Sequence, residues 1–155
     1  MELEFIFNML ARWGHLLFGI TWIGLLYYFN FIQGGYFKAA TPEGLKDAKA
    51  KLAPNALWWF RWAAMFTFIT GVVLLEGLWR TSLLNTYILI GALLGTFMFL
   101  NVWLIIWPNQ KKVLGIVDAE PDAKAAAAKM AMMASRTNTL LSLPMFYTMV
   151  SFNGG

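Results

Sequence analysis

Residues 83–107 read LLNTYILIGALLGTFMFLNVWLIIW, twenty-five positions without a charged side chain, and residues 108–112 follow as PNQKK. A helix rises about 1.5 Å per residue, so about twenty apolar residues cross the roughly 30 Å hydrocarbon core of a bilayer. This stretch is long enough to do so. The paired lysines Lys111 and Lys112 mark the point where it leaves the apolar phase. Working outward from this boundary decides the fold class.

The rest of the composition agrees. The chain has 155 residues, 59% of them hydrophobic, 17% aromatic and 13% charged. A soluble domain carries roughly 25% charge, so much of this surface is expected to face lipid. The net charge of +4 would suggest nucleic acid in a soluble chain. Here the basic residues flank apolar spans, which points to anionic lipid and away from nucleic acid. With no cysteine, disulfides, thiolate metal sites and cysteine nucleophiles are excluded. Glu2 and Glu4 and a long first apolar run argue against a cleavable signal peptide.

The spacing predicts an all-α integral membrane protein, a single four-helix transmembrane bundle. Its spans are expected at residues 5–33, 57–78, 83–107 and 125–152. Gly34-Gly35 and Lys38 close the first. Thr41-Pro42-Glu43-Gly44 has the form of a helix start, predicting a short interfacial helix over 45–52 in the first cytoplasmic loop. Residues 80–85 form a tight turn. Pro121-Asp122 opens the last helix, amphipathic at first (Lys124, Lys129, Arg136), apolar from Leu140, and kinked at Pro144.

Lysines orient the bundle. Lys38, Lys46, Lys49 and Lys51 lie between spans one and two, and Lys111, Lys112, Lys124 and Lys129 between spans three and four. Four spans put both loops on one side, which the positive-inside rule makes cytoplasmic. The expected location is the bacterial inner membrane, with both termini periplasmic. Trp58, Trp59, Trp62, Trp103 and Trp107 form an aromatic belt at the cytoplasmic end.

Polar groups inside a membrane are costly, so each is a functional candidate. In span one, Arg12, His15, Gly19, Trp22, Leu26 and Gln33 recur at helical spacing. His15 is the chain's single histidine. One reading makes it an axial ligand to the iron of haem b, with Arg12, Gly19 and Asn101 beside the cofactor; the other makes it a hydrogen bond between helices. The pair Gly91 and Gly95 is a small-xxx-small seam, and Asn101 bridges helices or meets a ligand. Arg61, Arg136 and Asn138 are candidates for a cytoplasm-side pocket that takes a quinone or small anion. Phosphate loops, dinucleotide fingerprints, zinc spacing and paired intramembrane carboxylates are missing, which disfavours carriers and pumps. The nine methionines read as packing.

Several blocks together resemble the membrane region of bacterial membrane-bound urate hydroxylase, the urate oxidase N-terminal family. They are Arg12-Trp13-Gly14-His15 with Gly19-Ile20-Thr21-Trp22-Ile23-Gly24 and Tyr28-Phe29, then Trp58-Trp59-Phe60-Arg61-Trp62 with Thr70-Gly71. Asn101-Val102-Trp103 follows, running into Pro108-Asn109-Gln110-Lys111-Lys112, and then Asn138 and Leu141-Ser142-Leu143-Pro144. The resemblance implies a membrane bundle coupled to redox chemistry, with a C-terminal cytochrome c domain. The sequence departs from that pattern in being shortened and carrying no haem-attachment motif. Phe97 and Thr137 stand where the family pattern places histidines. With His15 alone remaining, urate hydroxylation is not expected of this chain by itself. A slighter likeness, a histidine and a Trp-x-Gly in the first helix, links it to the bacterial four-helix haem-containing protoporphyrinogen oxidase.

The expected function is therefore an accessory or structural subunit of a larger membrane redox complex, contacting lipid and either other membrane subunits or copies of itself. The alternative is a haem b electron-transfer protein or oxidoreductase ligated by His15.

Overall fold

Helix ends follow local chemistry. Thr41 is extended (φ −63°, ψ 160°) and its hydroxyl accepts from the Gly44 N–H at 3.2 Å, with Pro42 in the first turn, as its sequence suggests. Asn85 caps the next helix by accepting from the Ile88 N–H at 3.0 Å. Pro121 begins the last one. The computed structural model describes residues 2–151. They form four long helices, α1 (Glu2–Ala39), α2 (Pro42–Arg80), α3 (Thr86–Val113) and α4 (Pro121–Val150), with no strand among the described residues.

α1, α2 and α3 are each long and apolar enough to cross a membrane. α4 is as long as a span, but Arg136, Asn138 and several hydroxyls interrupt its apolar half, and it falls below that level of hydropathy. The expected end of the fourth span, at 152, lies outside the described residues.

One expectation needs correction. There is no separate interfacial helix over 45–52: those residues are helical, but they continue without a break into the second span. The third helix likewise runs on beyond its uncharged stretch, through PNQKK to Val113. Both helices continue across a proline. Proline inside a regular helix loses a hydrogen bond and collides with the carbonyl four residues earlier, so Pro54 and Pro108 look like boundaries. A π-helical stretch ends two residues ahead of each, at Ala48–Leu52 and Val102–Ile106. The wider π turn shifts that carbonyl away from the proline ring and lets the helix proceed. A third π stretch, Tyr28–Gln33, lies in α1, and α4 continues through Pro144.

α2 and α3 end alike. At α2 the Leu83 N–H donates to the Leu78 carbonyl and the Ser82 N–H to Trp79; at α3 Ile116 donates to Lys111 and Gly115 to Lys112. These paired bonds require a left-handed residue, which is Ser82 (φ 56°) in one case and Gly115 (φ 74°) in the other. The tight turn expected at 80–85 is the first of these.

α1 lies along α2, and α3 along α4, antiparallel in each pair. One buried cluster joins all four. Trp22 and Leu26 of α1, Phe60 and Ala64 of α2, Met98 and Val102 of α3, and Ala134 and Met145 of α4 all belong to it. Phe68 stacks on Phe99 with ring centroids 4.2 Å apart, and Trp62 meets Trp103 edge-on, tying α2 to α3. Large apolar side chains cover the outside as well, among them Trp13, Ile20, Phe31, Leu93, Leu104 and Leu140. Such a surface suits lipid.

Candidate functional site

His15 sits where α1 crosses α2. Its Nδ1 lies 2.9 Å from the Thr67 carbonyl and 3.1 Å from the Thr70 hydroxyl oxygen. A carbonyl only accepts, so Nδ1 carries the proton; the Thr70 hydroxyl donates to Phe66, at 2.6 Å, and its oxygen accepts. The neutral ring then has its lone pair on Nε2, which has no partner among the described residues. Gly71 makes the place for the ring: a Cβ there would stand 3.0 Å from His15 Cε1. Gly14 and Gly19 bring α1 close to Thr70 and Thr67.

The other residues of that stripe are spread out. Trp22 and Leu26 are buried in the core, Gly19 is half-buried, and Gln33 is half-buried with its Nε2 unpaired. Arg12 is exposed and makes no hydrogen bond or ion pair among the described residues.

Asn101 instead bridges α3 to α4. Its Nδ2 donates to the Ala134 carbonyl at 2.9 Å and to Asn138 Oδ1 at 2.7 Å, while Asn138 Nδ2 donates to the Met98 carbonyl at 3.0 Å. Asn138 is fully buried. Two further bonds cross from α1 to α4: the Tyr27 hydroxyl with Ser142, and Asn30 Nδ2 to Ser135, both at 2.8 Å. Tyr27 and Asn30 were not singled out in the sequence. Their three-residue spacing, continued by Gln33, is the signal that marks them.

The expected pocket of Arg61, Arg136 and Asn138 is not gathered in one place. Asn138 is engaged with Asn101, and Arg136 is exposed. Arg61 lies over Trp107, its Cζ 3.8 Å from the ring centroid, in a groove of about 260 Å³ with Pro54, Asn55, Trp58, Leu114 and Ile116. A second groove, of about 420 Å³, shares Leu114 and includes Lys46 and Lys49.

The small-residue seam makes a tight contact within the chain, between α3 and α4. A Cβ on Gly91 would come within 2.9 Å of Thr148 Oγ1 and 3.1 Å of Met149, and Gly95 faces Met145. Among the described residues no three groups of metal-ligating type come together.

One known family matches part of the chain. Residues 81–153 match the family described as urate oxidase N-terminal. The match covers just under half of the chain, all of α3 and α4, and includes Asn101-Val102-Trp103, PNQKK, Asn138 and Leu141–Pro144. The resemblance to this family is therefore shown for the second half; the blocks around His15 and Arg61 lie outside the match. Phe97 and Thr137 are both exposed. No curated protein and no solved structure matches the chain significantly.

Proposed function

We propose that the chain is an integral membrane subunit whose task is to pack, an accessory or structural component of a larger membrane redox assembly. In this reading all four helices span the bilayer, the lysine-rich ends face the cytoplasm of a bacterial cell, and both termini face the periplasm. One observation carries the proposal. Asn101, Asn138 and Ser142, which are buried, and Tyr27, Asn30 and Ser135, which are half-buried, are bonded to one another or to backbone across the helix interfaces, where they hold the fold. The broad apolar exterior supplies area for lipid or for neighbouring subunits. Gentle detergent extraction from the native membrane, followed by native electrophoresis, tests this: co-migration with a larger assembly is expected, and recovery only as an isolated 17.6 kDa chain would refute it.

A second reading rests on His15. A histidine that donates Nδ1–H to a backbone carbonyl and keeps Nε2 bare has the orientation of a metal-bound imidazole. His15 would be the axial ligand of haem b, and another ligand would come from outside the four helices described. An absorption spectrum of the purified protein decides between the readings. A Soret band lost in His15→Ala supports haem; a colourless protein from haem-replete cells excludes it.

A further inference from the structure

Trp107 is approached by two cations. Arg61 lies 3.8 Å from its ring centroid and the Lys111 ammonium 5.9 Å from it. The ion pairs recorded among the described residues are Lys51–Asp47 and Arg80–Glu76, so neither cation at Trp107 has a carboxylate partner. Two like charges brought to one indole in a partly apolar setting repel, and the ring quadrupole offsets only part of this. The arrangement calls for an anion.

Its surroundings say which kind. Arg61, held over the Trp107 ring, makes no hydrogen bond or ion pair among the described residues, which leaves its planar fork of N–H donors for two oxygens of a phosphate or carboxylate. The groove beside it is lined by Trp58, Leu114 and the exposed Ile116, so apolar contact lies next to the charged contact. Trp62 and Trp103 pack edge-on further along α2 and α3, on the same side of the helices. Indoles with basic side chains at one end of apolar helices mark the depth of lipid headgroups.

We infer that Arg61, Lys111 and Trp107 form a binding site for the phosphate of an anionic phospholipid, with its headgroup at the groove of Trp58, Leu114 and Ile116 and its acyl chains running inward past Trp62 and Trp103. The inference needs only that α2 and α3 cross a membrane. It is independent of the accessory-subunit role and of haem.

Native mass spectrometry of the delipidated, detergent-purified protein tests it, with dioleoyl phosphatidylglycerol, dioleoyl phosphatidylcholine and inorganic phosphate as separate probes. One phosphatidylglycerol should bind at least tenfold more tightly than phosphatidylcholine, and inorganic phosphate should not displace it at millimolar concentration. Arg61→Gln/Lys111→Gln should abolish that preference, and Lys111→Gln alone, on a half-exposed side chain that the fold does not need, should weaken it several-fold. Lys38→Gln/Lys51→Gln, which removes the same charge at the same end, should leave it intact. Equal binding of the two lipids overturns the inference. So does displacement by inorganic phosphate, which would make the site one for a soluble anion. An equal loss in the Lys38/Lys51 variant also overturns it, by showing that diffuse surface charge is responsible.

Discussion

Asn101 and Asn138 form a directed pair. Asn101 donates to the side-chain oxygen of Asn138, and Asn138 passes its own amide proton to the Met98 carbonyl one turn before Asn101. Each closes the gap the other would leave, and the pair fixes the register of α3 on α4. Hydrogen bonds between membrane helices contribute about 0.6–2 kcal/mol each. Asn138→Leu is expected to destabilise by about 1–2 kcal/mol. A double-mutant cycle with Asn101→Leu should give a coupling of at least about 0.5 kcal/mol, read from denaturant-induced unfolding in detergent. Additive losses would mean that the bond contributes nothing.

Close approach of α3 and α4 depends on Gly91. Its added Cβ would meet Thr148 Oγ1 at 2.9 Å and two Met149 atoms at 3.1 Å, whereas one on Gly24 would meet nothing within 4 Å. Gly91→Ala should lower the thermal midpoint in detergent, by overpacking of about 1–3 kcal/mol. Gly24→Ala should raise it slightly, since alanine is favoured over glycine in a helix by about 1 kcal/mol. If both changes act alike, Gly91 does not mark a close contact.

The two left-handed helix ends invite a paired comparison. Ser82 holds φ 56° with a side chain and Gly115 holds φ 74° without one. A left-handed conformation costs a non-glycine residue about 1–2 kcal/mol, so Ser82→Gly should stabilise and Gly115→Ala should destabilise by roughly that amount. Calorimetry on the two variants checks both signs.

The sidedness proposed for the chain is open to labelling, because it has no cysteine of its own. Lys46→Cys and Lys112→Cys should react with an impermeant maleimide only after the cytoplasmic face is exposed, and Ser82→Cys from the other face. A Ser82→Cys variant that labels together with Lys112→Cys would remove the topology on which the four-span reading stands.

Much of this architecture could be read in the amino-acid order. Uncharged length located α1, α2 and α3, the Thr41-Pro42 and Pro121 signals located helix starts, and Asn101 was expected to bridge helices. What it did not show is specific. The uncharged run of the third span ends at Trp107, and local sequence does not show that a π turn carries the helix on through Pro108. Gly91 and Gly95 were expected to make a tight helix contact and do, but spacing names the face of a helix and not which helix covers it. Arg61 and Arg136 were grouped because both are cations near the same end, although their helices point them to different places.

Local composition therefore determined that the chain is helical, that most of its surface is apolar, and about where each helix begins, because propensity, capping and burial in lipid depend on neighbours along the chain. Tertiary structure alone decided that His15 turns to Thr67, that Asn138 answers Asn101, and that Arg61 lies over Trp107. Those contacts join residues 37 to 52 positions apart or, for Arg61 and Trp107, on separate helices. Only the rotation and depth of packed helices, set by side-chain fit over the whole interface, bring such residues together.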